Sequence, residues 1–190
     1  MIEPRESDST ARKAATDPSA LGVLYEAHRT LVFNVCFRML GDWQEAENLT
    51  QDVFLRAYKS LHQLRGEARV STWLYRVAVN LCLNHQRRQR RERWLSLDWL
   101  FESQGESASS LPVEEKTPRT DLEERESAGL VQSAIQALPE RQRAALVLHL
   151  YERLSYQEIA AVMQCSVASV ESRLHRAKQN LAKNLLERMK

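Results

Sequence analysis

Apolar residues return at intervals of three and four along most of this chain, and the runs open and close on residues that cap helices, so the pattern supports helix throughout. Leu21, Leu24, Tyr25, His28, Leu31, Val32, Val35, Cys36 and Met39 form the first run. Asp17 offers an N-cap before it, Pro18 fits the first helical position, and Gly41 supplies the left-handed residue that ends it. Asp42-Trp43-Gln44-Glu45 then has the form of a capping box with Asp in place of Ser or Thr. It opens a second helix, to about Ser60, whose stripe is Ala46, Leu49, Val53, Ala57 and Leu61. Glycine and proline together number 10 of 190 residues, against roughly 12% in average usage. Turn-rich β folds need more of both, so the expected fold class is all-α, with two small helical domains.

Gln51, Asp52, Leu55, Arg56 and Lys59 lie off the stripe of the second helix. Leu55 beside Asp52 and Arg56 reads either as a contact for another protein or as a solvated face carrying one leucine. After a short loop, Leu64 to Val70, Ser71 is placed to cap a third helix running to about Trp94, with Trp73, Leu74, Val77, Ala78, Leu81 and Cys82 on its buried face. Arg76, Asn80, Asn84, Arg87 and Arg91 recur at four, four, three and four, which sets two amides and three guanidinium groups along one side of the rod. Amides and Arg read base edges, and Arg holds phosphates by paired hydrogen bonds. Five Arg in seven residues, Arg87 to Arg93 and including Arg88, favour a nucleic-acid face over an ordinary solvated stripe.

The net charge of +2 conceals a positional pattern. Residues 1–64 net −2, 65–95 net +6, 98–126 net −6 and 139–190 net +4. Two basic blocks flanking an acidic one point to a polyanionic partner. Residues 1–16 are polar and aperiodic and read as a disordered tail, while Ser, Glu and Pro accumulate over 96–121, which reads as a flexible acidic linker. That linker is either simply self-repelling or a nucleic-acid mimic that enters a basic channel. No apolar run approaches a membrane span and no signal peptide opens the chain, so a cytoplasmic protein is expected. Cys36, Cys82 and Cys165 are far apart and form neither a disulfide framework nor a zinc spacing, and read as reduced structural thiols. No phosphate-binding glycine loop and no clustered carboxylates are present, so no enzyme activity, cofactor or metal is expected.

The second domain, 122–190, carries the most specific local signal. Leu130, Ala134, Ile135 and Leu138 make one amphipathic helix and Glu140 to Tyr151 another. Ser155-Tyr156-Gln157-Glu158 is a full capping box opening a short helix, Gln164-Cys165-Ser166 is a three-residue turn, and Ser166 caps a longer helix beginning at Val167. Short helix, tight turn and longer helix form a helix-turn-helix. Val167, Val170, Leu174, Ala177 and Leu181 mark the buried side of the longer helix. Ala168, Ser169, Ser172, His175, Arg176 and Gln179 face the other way, flanked by Arg173 and Lys178. Small residues at 168, 169 and 172 allow close approach to a major groove, where Arg176 can reach bases or phosphates.

Three ordered blocks then carry a family resemblance: Ala46-Glu47-Asn48-Leu49-Thr50-Gln51-Asp52-Val53-Phe54-Leu55-Arg56-Ala57-Tyr58; Arg65-Gly66-Glu67 leading to Ser71-Thr72-Trp73-Leu74-Tyr75-Arg76-Val77-Ala78-Val79-Asn80; and Leu138-Pro139-Glu140-Arg141 followed by Leu154-Ser155-Tyr156-Gln157-Glu158-Ile159-Ala160. Over residues 18–95 and 126–188 the chain resembles bacterial extracytoplasmic-function sigma factors of the sigma-70 family. The resemblance implies that domain 17–95 binds the clamp helices of the largest RNA polymerase subunit through Gln51, Asp52, Leu55 and Arg56. It implies that the minus-ten promoter element is opened and read by Arg65, Arg69, Ser71, Arg76, Asn80, Asn84, Arg87, Arg88 and Arg91. A base flipped from the non-template strand would enter the loop Arg65 to Ser71; extrusion costs a few kcal/mol, so a pocket that rewards one base both melts and selects. Ser169, Ser172, Arg173, His175, Arg176 and Lys178 would contact the minus-thirty-five element, with this domain docked on the polymerase flap. An anti-sigma factor is a further implied partner. Glu171 departs from the Lys or Arg common there, which bears on upstream affinity. Two other readings remain at this point: a helix-turn-helix regulator that binds palindromic duplex without polymerase, and a helical adaptor that binds only proteins.

Overall fold

The computed structural model describes residues 18–60, 70–97 and 120–188. Among them every regular element is a helix: α1 (Pro18–Leu40), α2 (Trp43–Ser60), α3 (Val70–Leu97), α4 (Thr120–Gln136), α5 (Glu140–Leu150), α6 (Tyr156–Met163) and α7 (Val167–Arg188). The expected tail, the loop bearing Arg65 and Arg69, and residues 98–119 of the expected linker lie outside the described residues. No helix among the described residues is long and apolar enough to cross a membrane.

Local chemistry explains several helix ends. Gly41 ends α1 at φ +79°, a conformation that glycine adopts without a Cβ penalty. The Glu45 amide donates to Asp42 Oδ1 at 2.8 Å, the predicted cap of α2. Ser155 and Glu158 make the reciprocal capping box of α6, and Gln164 closes that helix in left-handed geometry at φ 50°. One expectation fails: α3 begins at Val70, so Ser71 stands inside the first turn instead of capping it.

The helices form two bundles, α1–α3 and α4–α7, matching the expected two-domain layout. Val32, Val35, Cys36, Met39, Ala46, Val53, Ala57, Leu74, Ala78 and Cys82 fill the first. Cys36 and Cys82 are both buried; their mutual contact, with burial, pushes the Cys82 thiol well above its ordinary range, which keeps it an unreactive packing group.

The bundles are not independent. A single buried cluster runs from Leu74, Tyr75, Ala78 and Val79 of α3 to Ala144, Leu148, Ile159, Val162, Val170 and Leu174 of the second bundle. Burying a leucine or isoleucine fully is worth roughly 1.5–3 kcal/mol, so Leu74, Ile159 and Leu174, each almost wholly enclosed, tie the halves together. α6 makes its broadest contact with α3. This corrects the buried face expected for α3: Tyr75 and Val79 are buried, whereas Trp73 and Val77 are half-buried. The second bundle extends the helix's apolar stripe around to residues that a lone domain would leave in water.

Candidate nucleic-acid interface

α3 is held by its apolar side and presents the opposite one. Asn80, Asn84, Arg87, Arg88 and Arg91 are all exposed, as their spacing requires. Arg88 pairs with Glu92 at 2.7 Å in full solvent, a contact that a phosphate could replace. Arg76 and Ser71 are half-buried, and Arg76 Nε is enclosed without a hydrogen-bond partner. The stripe is therefore graded: enclosed at Arg76, open from Asn80 onward. Amides with guanidinium groups on one open face suit single bases flanked by phosphates.

The helix-turn-helix supplies a second face. Val170, Leu174 and Ala177 bury one side of α7, while Ser172, His175, Arg176 and Lys178 stand exposed and Ser169 is half-buried. The Ser169 amide donates to Ser166 Oγ at 3.2 Å, the predicted cap. Arg173 differs from its neighbours. Its Nη1 donates to Cys165 Sγ at 3.0 Å and lies 4.0 Å from Met163 Sδ. The guanidinium thus folds over the turn and braces α7 against α6.

On α2 the predicted protein-binding set is a single outward face. Gln51, Asp52, Leu55 and Arg56 are all exposed, with Leu55 at 59%. Sequence reasoning missed Tyr58, also exposed at 50%. Its place three residues after Leu55, one helical turn along, was the available signal. An aromatic cluster was missed as well: the Trp43 ring lies 4.5 Å from Phe33 and 6.1 Å from Phe37, leaving Trp43 half open to solvent. The described members of the three predicted sets occupy three different helices, two in the first bundle and one in the second. No group of three or more His, Cys, Asp or Glu is gathered for a metal ion among the described residues.

The seam between bundles carries polar chemistry that the sequence did not announce. Arg143 of α5 is only 7% exposed. It donates to the Met39 carbonyl of α1, to the Gln136 carbonyl and side-chain oxygen, and to the Leu138 carbonyl. Burial lowers its pKa from the ordinary arginine value, with Glu140 opposing. The Tyr75 hydroxyl of α3 donates to Glu152 Oε2 at 2.6 Å. Burial raises the Glu152 carboxyl above its ordinary range, against Tyr75 and Arg38, which favour its charged form. Arg38 lies 3.5 Å over the Tyr151 ring, a cation–π contact between the bundles.

Comparison with known proteins agrees with this arrangement. Residues 24–92 match Sigma-70 region 2 and residues 128–181 match Sigma-70 region 4. The chain is 33% identical to the RNA polymerase sigma-H factor of Pseudomonas aeruginosa over 97% of its own length and 96% of that protein. It is 36% identical to the ECF RNA polymerase sigma-E factor of Escherichia coli over 71% of each. The fold resembles CnrH in complex with the cytosolic domain of CnrY, with TM-score 0.66, 23% identity and coverage of 94% and 96%. It also resembles the sigma factor RpoE bound to the anti-sigma factor NepR from Bartonella quintana, with TM-score 0.62, 20% identity and coverage of 85% and 93%. With two region matches in order and a relative aligned along nearly its whole length, the chain belongs to the extracytoplasmic-function sigma factors of the sigma-70 family, transcription initiation factors that bind core RNA polymerase and promoter DNA.

Proposed function

We propose that the two bundles divide one promoter between them. The α3 stripe from Arg76 to Arg91 holds the opened minus-ten strand, and the outer side of α7, led by Arg176, lies in the major groove of the minus-thirty-five element. Gln51, Asp52, Leu55 and Arg56 grip the polymerase clamp helices, and the second bundle docks on the flap. Residues 17–95 and 122–190 are the two functional units, and 96–121 join them. The observation that carries this reading is that two basic helix faces, one per family region, stand open to solvent on one chain. The chain supplies binding free energy through phosphate neutralisation and capture of unstacked bases, and bond-making belongs to the polymerase.

The same reading makes it a cytoplasmic alternative sigma factor, responsive to stress or envelope damage and held by an anti-sigma factor. Support for the last point is the assembly of the structural neighbour RpoE with NepR. Run-off transcription with core polymerase, with and without the chain, tests the proposal: specific initiation appears only with it, and no gain on any extracytoplasmic-type promoter overturns it. A regulator acting alone would instead bind palindromic duplex without polymerase, and a protein adaptor would show no salt-dependent DNA binding.

A further inference from the structure

A nucleic-acid face gains from positive charge, because every phosphate it meets repels an acid. The outer side of α7 breaks that rule once. From Val167 to Asn180 the helix carries a single acidic residue, Glu171, and it is exposed. It forms no ion pair among the described residues; the pair that α7 holds within itself, Lys183–Glu187 at 3.8 Å, lies further along the helix. The helix dipole does not account for it either. That field favours negative charge in the first turn and fades beyond it, and no acid stands in the first turn of α7. The nearest arginine along the chain is turned elsewhere, since Arg173 donates to Cys165 Sγ at 3.0 Å.

A helical side chain leans toward the N-terminus, over the residues three and four positions before it. Glu171 therefore lies over Val167 and Ala168, and Ala168 is exposed with only a methyl group. The carboxylate is carried over the opening turn of the helix, the part that meets base edges when such a helix enters a major groove. Its small neighbour lets DNA come close. His175 and Lys178 share its edge of the helix by the 3.6 period, and both are exposed, so groups that can hold phosphates flank one that cannot.

What an acid can do there is narrow. A carboxylate accepts hydrogen bonds and donates none. In the major groove guanine offers N7 and O6 and thymine offers O4, all acceptors that repel it. Adenine sets its N6 donor beside the acceptor N7, whereas cytosine offers the N4 amino group alone. We propose that Glu171 is a specificity-determining residue for the upstream element, accepting from the N4 amino group of one cytosine, while Arg176 and its neighbours supply the attraction to phosphate. The proposal rests on the reading that α7 lies in the major groove of the minus-thirty-five element. Its mark is a sign opposite to that of a phosphate contact. Repulsion lowers affinity for every duplex, and only a duplex with cytosine in place recovers it, so the residue selects as much by what it rejects as by what it holds.

The test uses the full chain with core polymerase and a promoter library in which each base pair of the upstream element is varied in turn, read by the amount of run-off product. Wild type should prefer C·G at one position by about tenfold, within the range that one good base contact gives. Glu171→Ala should lose that preference, keep those at the other positions, and gain on templates that lack the cytosine. Glu171→Gln should move the preference at the same position to A·T, because an amide both donates and accepts as adenine N7 and N6 require. A preference for C·G that survives Glu171→Ala, or a change that is equal on every template, overturns the proposal. So does selection by wild type of a base other than cytosine at the position that Glu171→Ala sets free. Melting temperatures of the three proteins should agree, since the side chain is exposed; if Glu171→Ala melts lower, Glu171→Gln decides alone, by whether the preference moves. A wild type indifferent to the whole element overturns the major-groove reading as well, and shows before either variant is made.

Discussion

The hydroxyl of Tyr75 and the carboxylate of Glu152 meet at 2.6 Å although 77 positions separate them in sequence. Burial favours the neutral form of Glu152, so its pKa in the joined state lies above the ordinary carboxylate value of 4.5. A carboxyl with a raised pKa binds its proton more tightly in that state. Its contribution to the joined state is therefore fully present below about pH 4.5 and is lost as pH rises through the raised value. Denaturation midpoints of wild type and Glu152→Gln, followed from pH 4 to 7, should diverge over that window, with the wild type losing the more stability on going up. Parallel curves would show that Glu152 titrates alike in both states.

Leu55 is exposed and makes no core contact, so its removal should leave the fold intact. Leu55→Ala is expected to change stability by no more than about 0.5 kcal/mol, as surface substitutions do. Affinity for core polymerase should fall about tenfold or more. A loss of thermal stability in step with the binding loss would mark Leu55 as a structural residue.

Arg87 and Arg91 lie one turn apart on the open side of α3. If both neutralise phosphates, Arg87→Ala with Arg91→Ala should weaken holoenzyme binding on all promoters and reduce the slope of log affinity against log salt by about 1 per residue. An unchanged slope would count against phosphate contact.

Arg176 and Arg173 are three residues apart on one helix but do different work. Arg176 is free in solvent, so Arg176→Ala should impair promoters carrying the upstream element far more than one with that element scrambled. Arg173 braces the helix-turn-helix through the Cys165 sulfur, so Arg173→Ala should lower the melting temperature as well. Equal thermal loss in both variants would refute the division of labour.

His28 lies half-buried on α1, with Nε2 enclosed and unpartnered, and burial lowers its pKa below the ordinary 6.5. The unfolded chain then binds its proton first as pH falls. Stability from neutral His28 is present above about pH 6.5 and is lost as pH drops toward the lowered value. His28→Leu should flatten the decline in unfolding free energy between pH 7 and 5. A decline as steep as the wild type's would mean that other groups cause it.

What was legible in the sequence was local. Ser155 and Glu158 announce their capping box because both partners lie within four residues, and the α7 face from Ser172 to Arg176 follows from a period of 3.6. The seam was not legible. Arg143 and Met39 are 104 positions apart, and an arginine between Gln142 and Ala144 reads as a surface residue until its acceptors are known. One clue was present. Ala144-Ala145-Leu146-Val147-Leu148 leaves α5 no polar side across five consecutive residues, all of them buried, and a helix apolar all round needs neighbours on every side. Tyr75 gave less warning, since a tyrosine suits water and core alike.

Gly41 joins the two kinds of information. Its backbone ends α1, but a Cβ there would also lie 2.9 Å from Gln136 Cδ. Gln136 has little room to yield, because its amide nitrogen is bonded to the Arg38 carbonyl and its oxygen to Arg143. One added methyl at the end of a helix would act as a wedge between the bundles. The fit of one half of the molecule against the other thus depends on the absence of a single carbon atom.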